Sequence, residues 1–70
     1  PTVTIPMGGT VLTVAVKPGD TVKRGDELFV FEAMKMENSI IAERNGVIKR
    51  VFIEPGQVIA TNAVLIEYEK

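Results

Sequence analysis

Apolar and polar residues along this chain follow the short patterns typical of β-strands, and no window shows convincing helical spacing. A run rich in β-branched residues over positions 11–16 ends at Pro18-Gly19, and a similar run over positions 48–53 ends at Pro55-Gly56. Pro-Gly predicts a type II turn, because proline presets φ and glycine accepts a positive φ. The pattern therefore predicts an all-β fold with tight turns.

Two longer strands are predicted over residues 28–34 and 63–68. Period-two alternation places four of their side chains on the core face: Phe29, Phe31, Ile66 and Tyr68. A further strand over residues 36–42 is expected to end near Asn45-Gly46, a dipeptide typical of turns. Residues 21–22 and 58–59 are predicted to form short strands or turns after the Pro-Gly pairs.

The chain also repeats itself without a gap when it is shifted by 37 positions, which aligns Gly9 with Gly46 and Leu28 with Leu65. A repeat of this length is usually one structural unit used twice. Neither half carries enough apolar surface to fold alone, so residues 1–70 are predicted to form a single domain. Its halves, about 9–33 and 46–70, would share one core in a compact β sandwich or barrel.

Composition excludes several classes of function. The 70 residues contain no cysteine and no histidine, and the acidic residues are scattered, so we expect no metal site and no autonomous enzyme. The net charge is −1 and no basic stripe is present, which argues against nucleic-acid binding. No apolar run approaches membrane-spanning length, so direct membrane insertion is not expected.

The candidate chemistry lies in one hexapeptide, Glu32-Ala33-Met34-Lys35-Met36-Glu37, between two predicted strands. Two of the three methionines in the chain flank the lysine. At an exposed turn, methionine suits a surface that must fit several partners. A simpler explanation also fits the periodicity, in which Lys35 is a solvated turn residue and the methionines fill gaps beneath the hairpin.

This hexapeptide resembles the attachment motif of biotinyl domains in biotin-dependent carboxylases and decarboxylases, whose core is Ala-Met-Lys-Met. The resemblance implies a flattened barrel of two four-stranded antiparallel sheets with quasi-two-fold symmetry. Lys35 would sit on a hairpin turn and carry biotin through an amide, with Ala33, Met34 and Met36 completing the motif. Glu32 and Glu37 would be candidates for recognition by the ligase.

The family resemblance also implies partners and a mechanism. A free lysine amine is almost entirely protonated at pH 7, so a biotin protein ligase would have to acylate Lys35. The non-catalytic carrier would then move CO₂ on a swinging arm between biotin carboxylase and carboxyltransferase or decarboxylase sites. The expected location follows the parent enzyme: cytoplasm, with a mitochondrion or a membrane-associated complex as alternatives.

Small departures from the family pattern and two rival functions qualify this prediction. Gly8 stands where proline is frequent in the early Pro-Met-x-Gly turn, and Ile5 stands where a small residue is common. The gapless repeat leaves no room for the protruding thumb of some carriers.

A lipoyl carrier would share the fold but usually shows Asp-Lys at the bend. A β-sandwich adaptor without a prosthetic group would have no need of the hexapeptide.

Overall fold

The computed structural model describes residues 2–69, which form eight β-strands. In chain order the strands are β1 (Thr2–Thr4), β2 (Gly9–Val14), β3 (Thr21–Val22), β4 (Glu27–Ala33), β5 (Met36–Ile41), β6 (Gly46–Val51), β7 (Val58–Ile59) and β8 (Val64–Tyr68). The all-β prediction is confirmed. Across residues 2–69 no helix is long and apolar enough to span a membrane.

The strands form two four-stranded sheets, ordered β1-β8-β6-β3 and β5-β4-β2-β7, with antiparallel pairing throughout. Adding four to each strand number of one sheet, cyclically, gives the other sheet in the same order. This correspondence is the 37-residue repeat seen in three dimensions, because β2 and β6 begin at Gly9 and Gly46. The predicted quasi-two-fold pair of sheets is confirmed, and each sheet contains strands from both halves.

Backbone hydrogen bonds join each Pro-Gly turn to the opposite half of the chain. The N–H of Val11 in β2 donates to the carbonyl oxygen of Gln57 at 2.8 Å, and Gly56 N–H donates to Val11 at 2.7 Å. In the repeat-related position, Ile48 N–H donates to Asp20 at 2.8 Å. These bonds extend the strand pairing into the turns, so neither half closes its sheets alone.

The two Pro-Gly segments form the predicted turns. Gly19 and Gly56 have positive φ values of 93° and 86°. In the first turn, Asp20 N–H donates to the carbonyl oxygen of Lys17 at 3.1 Å, and the Asp20 carboxylate accepts from Lys17 N–H at 3.0 Å. Gln57 takes the place of Asp20 in the second turn, where its side chain accepts a backbone N–H bond at 3.1 Å.

The core between the sheets is entirely apolar among the described residues. It includes the four predicted side chains, and the fully buried members with the largest volumes are Phe29, Leu28, Ile48, Leu65, Ile66 and Val11. Leu28 and Phe29 are adjacent yet both fully buried, which simple alternation does not allow. The pairing of β4 with β5 skips Leu28, and the pairing of β8 with β1 skips Leu65. Both leucines are the extra residues of β-bulges, which turn them inward.

Several predicted boundaries differ from the structure. The strand predicted over residues 28–34 spans Glu27–Ala33, which leaves Met34 in the following turn, and the strand predicted over residues 63–68 begins at Val64. The strand over residues 36–42 ends at Ile41, and Ala42 N–H instead donates to the carbonyl oxygen of Asp26 at 2.7 Å. Gly46 does not serve a turn but is the first residue of β6. A Cβ atom at Gly46 would lie 3.1 Å from the Tyr68 ring, so the glycine is needed for close packing.

Burial of the bulged Leu28 predicts a large difference between two leucines. We expect Leu28→Ala to lower the free energy of unfolding by about 2–5 kcal/mol, because it opens a cavity in the core. Leu12→Ala, at an exposed bulge in β2, should cost less than about 1.5 kcal/mol. Urea denaturation followed by circular dichroism measures both changes. Equal losses would contradict the role assigned to the bulge.

Candidate functional site

Strands β4 and β5 form a hairpin whose turn contains only Met34 and Lys35, because Ala33 pairs directly with Met36. Both turn residues have positive φ, 55° at Met34 and 64° at Lys35. Two-residue hairpins favour this left-handed geometry, since its twist matches that of the flanking strands. The short loop fixes the direction in which the backbone presents Lys35, as the sequence predicts.

The side chains around the turn are divided sharply between solvent and core. Lys35 is exposed, and the exposed fractions of Met34 and Met36 are 87% and 65%. Ala33, one residue before the turn, is buried against the core. The methionines therefore do not fill gaps beneath the hairpin. They form an apolar surface on either side of the lysine.

Two carboxylates lie opposite each other on the hairpin, one residue pair away from the pair that closes the turn. Glu32 on β4 is the direct cross-strand partner of Glu37 on β5, and both are exposed. Like charges placed directly opposite each other on a sheet destabilise it by a few tenths of a kcal/mol or more. Asn38 also stiffens the outgoing strand, because its side-chain amide donates to the carbonyl oxygen of Met36 at 3.1 Å. The hairpin thus presents two exposed methionines beside Lys35 and a pair of carboxylates directly below the turn.

Sequence reasoning placed Gly9 in a turn, but the structure gives it a direct part in holding the hairpin. Gly9 is the first residue of β2, which packs against β4. A Cβ atom there would lie 2.5 Å from the carbonyl oxygen of Glu32 and 3.3 Å from Ala33 Cβ. The two repeat-related glycines are alike in this respect, since an added Cβ would lie 3.0 Å from the Phe31 ring at Gly9 and 3.1 Å from the Tyr68 ring at Gly46.

A concave region lies between the free edges of β1 and β5, with a volume of about 420 Å³. Its lining includes Ile40, Glu43, Arg44 and Tyr68. The Arg44 guanidinium lies 5.2 Å from the centre of the Tyr68 ring. Burial raises the pKa of Tyr68, the Arg44 charge opposes this and the Glu43 charge adds to it. Within residues 2–69 no cluster of acidic side chains could hold a metal ion.

The chain is similar in sequence to a known protein family and to parts of larger proteins. The sequence matches the biotin/lipoyl family, described as "Biotin-requiring enzyme", over residues 1–68. The mitochondrial propionyl-CoA carboxylase alpha chain of Homo sapiens is 45% identical over 64 residues, which cover 91% of this chain and 9% of that protein. This chain therefore spans less than a tenth of that relative.

Solved structures share the fold. A single-chain, multi-domain long-chain acyl-CoA carboxylase superposes with a TM-score of 0.85 at 35% identity, covering 94% of this chain and 7% of that chain. The lipoyl domain of the 2-oxoglutarate dehydrogenase complex from Azotobacter vinelandii gives a TM-score of 0.81 at 30% identity, covering 90% of this chain and 80% of that chain. The architecture is therefore common to part of a carboxylase and to a lipoyl domain.

The left-handed backbone at Met34 predicts that glycine is more stable there. We expect Met34→Gly to raise the free energy of unfolding by about 0.5–1 kcal/mol, because glycine adopts positive φ without a Cβ clash. The matched control is Met36→Gly, which removes the same side chain from an exposed strand position and should lower stability by about 0.5–1 kcal/mol. Thermal and urea unfolding measure both. The same sign for the two variants would contradict the turn geometry.

Proposed function

Because this chain belongs to the biotin/lipoyl attachment family, we propose that residues 1–70 form a biotin carboxyl carrier domain with biotin joined to Lys35 by an amide. One observation carries this proposal. The lysine of a complete Ala-Met-Lys-Met motif occupies an exposed two-residue turn, with an exposed methionine on each side. The domain is a carrier and not itself catalytic. The domain would serve to present the Lys35 amine, and the group attached to it, to other proteins.

The surroundings of Lys35 fit an amide-linked group. Its side chain is exposed, and among residues 2–69 no ion pair engages it. Acylation would remove the lysine charge without leaving a buried partner unpaired, so the fold loses nothing when the group is attached. When bound, biotin supplies a ring nitrogen that can hold CO₂. Met34 and Met36 would line the base of the arm and contact whichever protein covers it.

The hairpin would provide a rigid support for the mobile side chain of Lys35 and the group attached to it. The backbone of β4 is fixed between β5 and β2, with Phe31 and Ala33 buried just before the turn. Lys35 lies beyond that support, so motion is confined to its own side chain and whatever it carries. A short flexible link of this kind gives an effective concentration of roughly millimolar at a nearby site. The carrier would act by raising the local concentration of the attached group at its partner's active site.

The hexapeptide also supports particular partners. We propose that a biotin protein ligase recognises the hairpin, with Glu32 and Glu37 contributing charge to that contact. The similarity to parts of carboxylases supports biotin carboxylase and carboxyltransferase or decarboxylase sites as the later partners. The location would be that of the parent enzyme. We propose the cytoplasm, or the mitochondrion if the parent resembles the human relative.

A lipoyl carrier is the alternative that one observation favours, since this chain matches most of a lipoyl domain at a TM-score of 0.81. The shared fold does not choose between the two prosthetic groups. Met34 supports biotin, because the lipoyl motif usually has an aspartate before the lysine. The choice therefore depends on which ligase accepts the hairpin, and that can be measured directly.

Loss of the lysine amine predicts loss of modification. We expect Lys35→Arg to fold normally and to gain no biotinyl group after incubation with biotin protein ligase, ATP and biotin. The unchanged domain should gain one. The reason is that arginine keeps the positive charge and removes the acyl acceptor. Intact mass spectrometry measures the gain, and circular dichroism confirms folding.

The matched control is Lys49→Arg, which makes the same change at an exposed strand position away from the turn. It should be loaded as fully as the unchanged domain. A biotinylated Lys35→Arg protein would overturn the assignment of the attachment residue. A folded, unchanged domain that rejects biotin but accepts lipoate from lipoate ligase would establish the lipoyl alternative.

A further inference from the structure

We propose that the attachment turn is also a site of reversible oxidation, in which a hydroperoxide converts Met34 and Met36 to sulfoxides and thereby blocks loading of Lys35. The effect on loading rests on the proposed carrier function. The oxidation itself does not, since it depends only on the exposure of two thioethers. The ligand class is therefore a small hydroperoxide, and hydrogen peroxide is the simplest example.

The chain concentrates its oxidisable groups at this turn. It contains no cysteine, tryptophan or histidine, so its three methionines are the only sulfur atoms available. Their exposed fractions are 87% at Met34, 65% at Met36 and 40% at Met7. Oxidation of sulfur follows its access to solvent. A hydroperoxide should therefore react first at the two methionines beside Lys35, and Met7 provides an internal reference.

The chemical step is a two-electron oxygen transfer. A lone pair on the methionine Sδ attacks one peroxide oxygen, the O–O bond breaks and an S–O bond forms. The proton on the transferred oxygen passes to the departing hydroxide, which leaves as water. The thioether is oxidised to a sulfoxide and the hydroperoxide is reduced. Sulfoxide reductases reverse the change at the expense of a thiol reductant.

Because of where the two methionines lie, their oxidation should affect recognition by the ligase and not the fold. Both side chains lie outside the core, so oxidation should leave the fold intact. They flank Lys35 directly, and a ligase that covers the lysine must also cover them. Burying one polar group without a hydrogen-bond partner weakens an interaction by roughly 5- to 150-fold. A sulfoxide at either position should therefore slow loading while leaving the lysine amine unchanged.

The first measurement is the order of oxidation. The unmodified domain is treated with increasing hydrogen peroxide, digested, and analysed by mass spectrometry for each methionine. We expect Met34 and Met36 to oxidise faster than Met7, with the melting temperature changed by less than a few degrees. Faster oxidation at Met7, or unfolding that accompanies oxidation of the turn, would overturn the proposal.

The second measurement is the initial rate of biotin transfer by biotin protein ligase. After both turn methionines are oxidised and peroxide is removed, we expect the rate to fall at least five-fold and to recover after treatment with sulfoxide reductases. An unchanged rate would overturn the link between oxidation and loading. If the untreated domain is never loaded, the proposed carrier function fails instead, while the order of oxidation remains a separate result.

Two variants identify the responsible sulfur atoms. In Met34→Leu/Met36→Leu the side chains stay apolar but cannot be oxidised, so the ratio of rates before and after peroxide should stay close to one, whatever the basal rate. Met7→Leu is the matched control and should keep the full loss. A loss that persists in the double variant would contradict the assignment, because the damage would then lie elsewhere.

Discussion

Neither half of this chain can complete a sheet, and both the shared core and the position of the candidate site depend on that constraint. When β1 to β4 are taken as the first half and β5 to β8 as the second, each sheet draws two strands from each half. Each Pro-Gly turn also forms backbone hydrogen bonds with the other half. The halves must therefore fold together around one core. The hairpin of β4 and β5 is the covalent connection between them, since β4 ends the first half and β5 begins the second. The candidate site lies at this junction.

This placement separates stability from the chemistry of the site. Strand β4 brings Leu28, Phe29 and Phe31 into the core, while the turn immediately after it is exposed. No polar side chain is buried among the described residues, and the free energy of folding therefore comes mainly from apolar burial. A change of charge or covalent state at Lys35 leaves that burial unaffected. The fold can thus hold the same hairpin before and after modification, which a carrier requires.

The sequence predicted the repeated elements well because they depend on local signals. Pro-Gly pairs predicted two turns, and the 37-residue shift identified equivalent strands in the two halves of the chain, such as β2 and β6. The bulges at Leu28 and Leu65 were not predictable, since period two places Leu28 on the face opposite Phe29. The bulge depends on pairing with another strand, which sequence periodicity does not contain.

The same limit applies to the candidate site. The hexapeptide predicts Lys35 as the attachment residue, and the structure adds the close packing and the strand pairing around it. Gly9 can be recognised as a close-packing residue only when the carbonyl oxygen of Glu32 is seen opposite it. The direct cross-strand pairing of Glu32 with Glu37 likewise follows from a turn of only two residues. Both features depend on register: the first on the pairing of β2 with β4, and the second on the pairing of β4 with β5, which one extra loop residue would have shifted.

The turn residues themselves show where the fold accepts strain. Elsewhere in residues 2–69, positive φ occurs at residues suited to it: Gly19, Gly25, Gly56 and Asn62. Met34 and Lys35 adopt the same conformation with long side chains, at a cost of roughly 1–2 kcal/mol each. A glycine at Met34 or Lys35 would relieve the backbone but would remove either the amine or the apolar surface beside it. The strained positions are therefore those whose side chains would carry the proposed function.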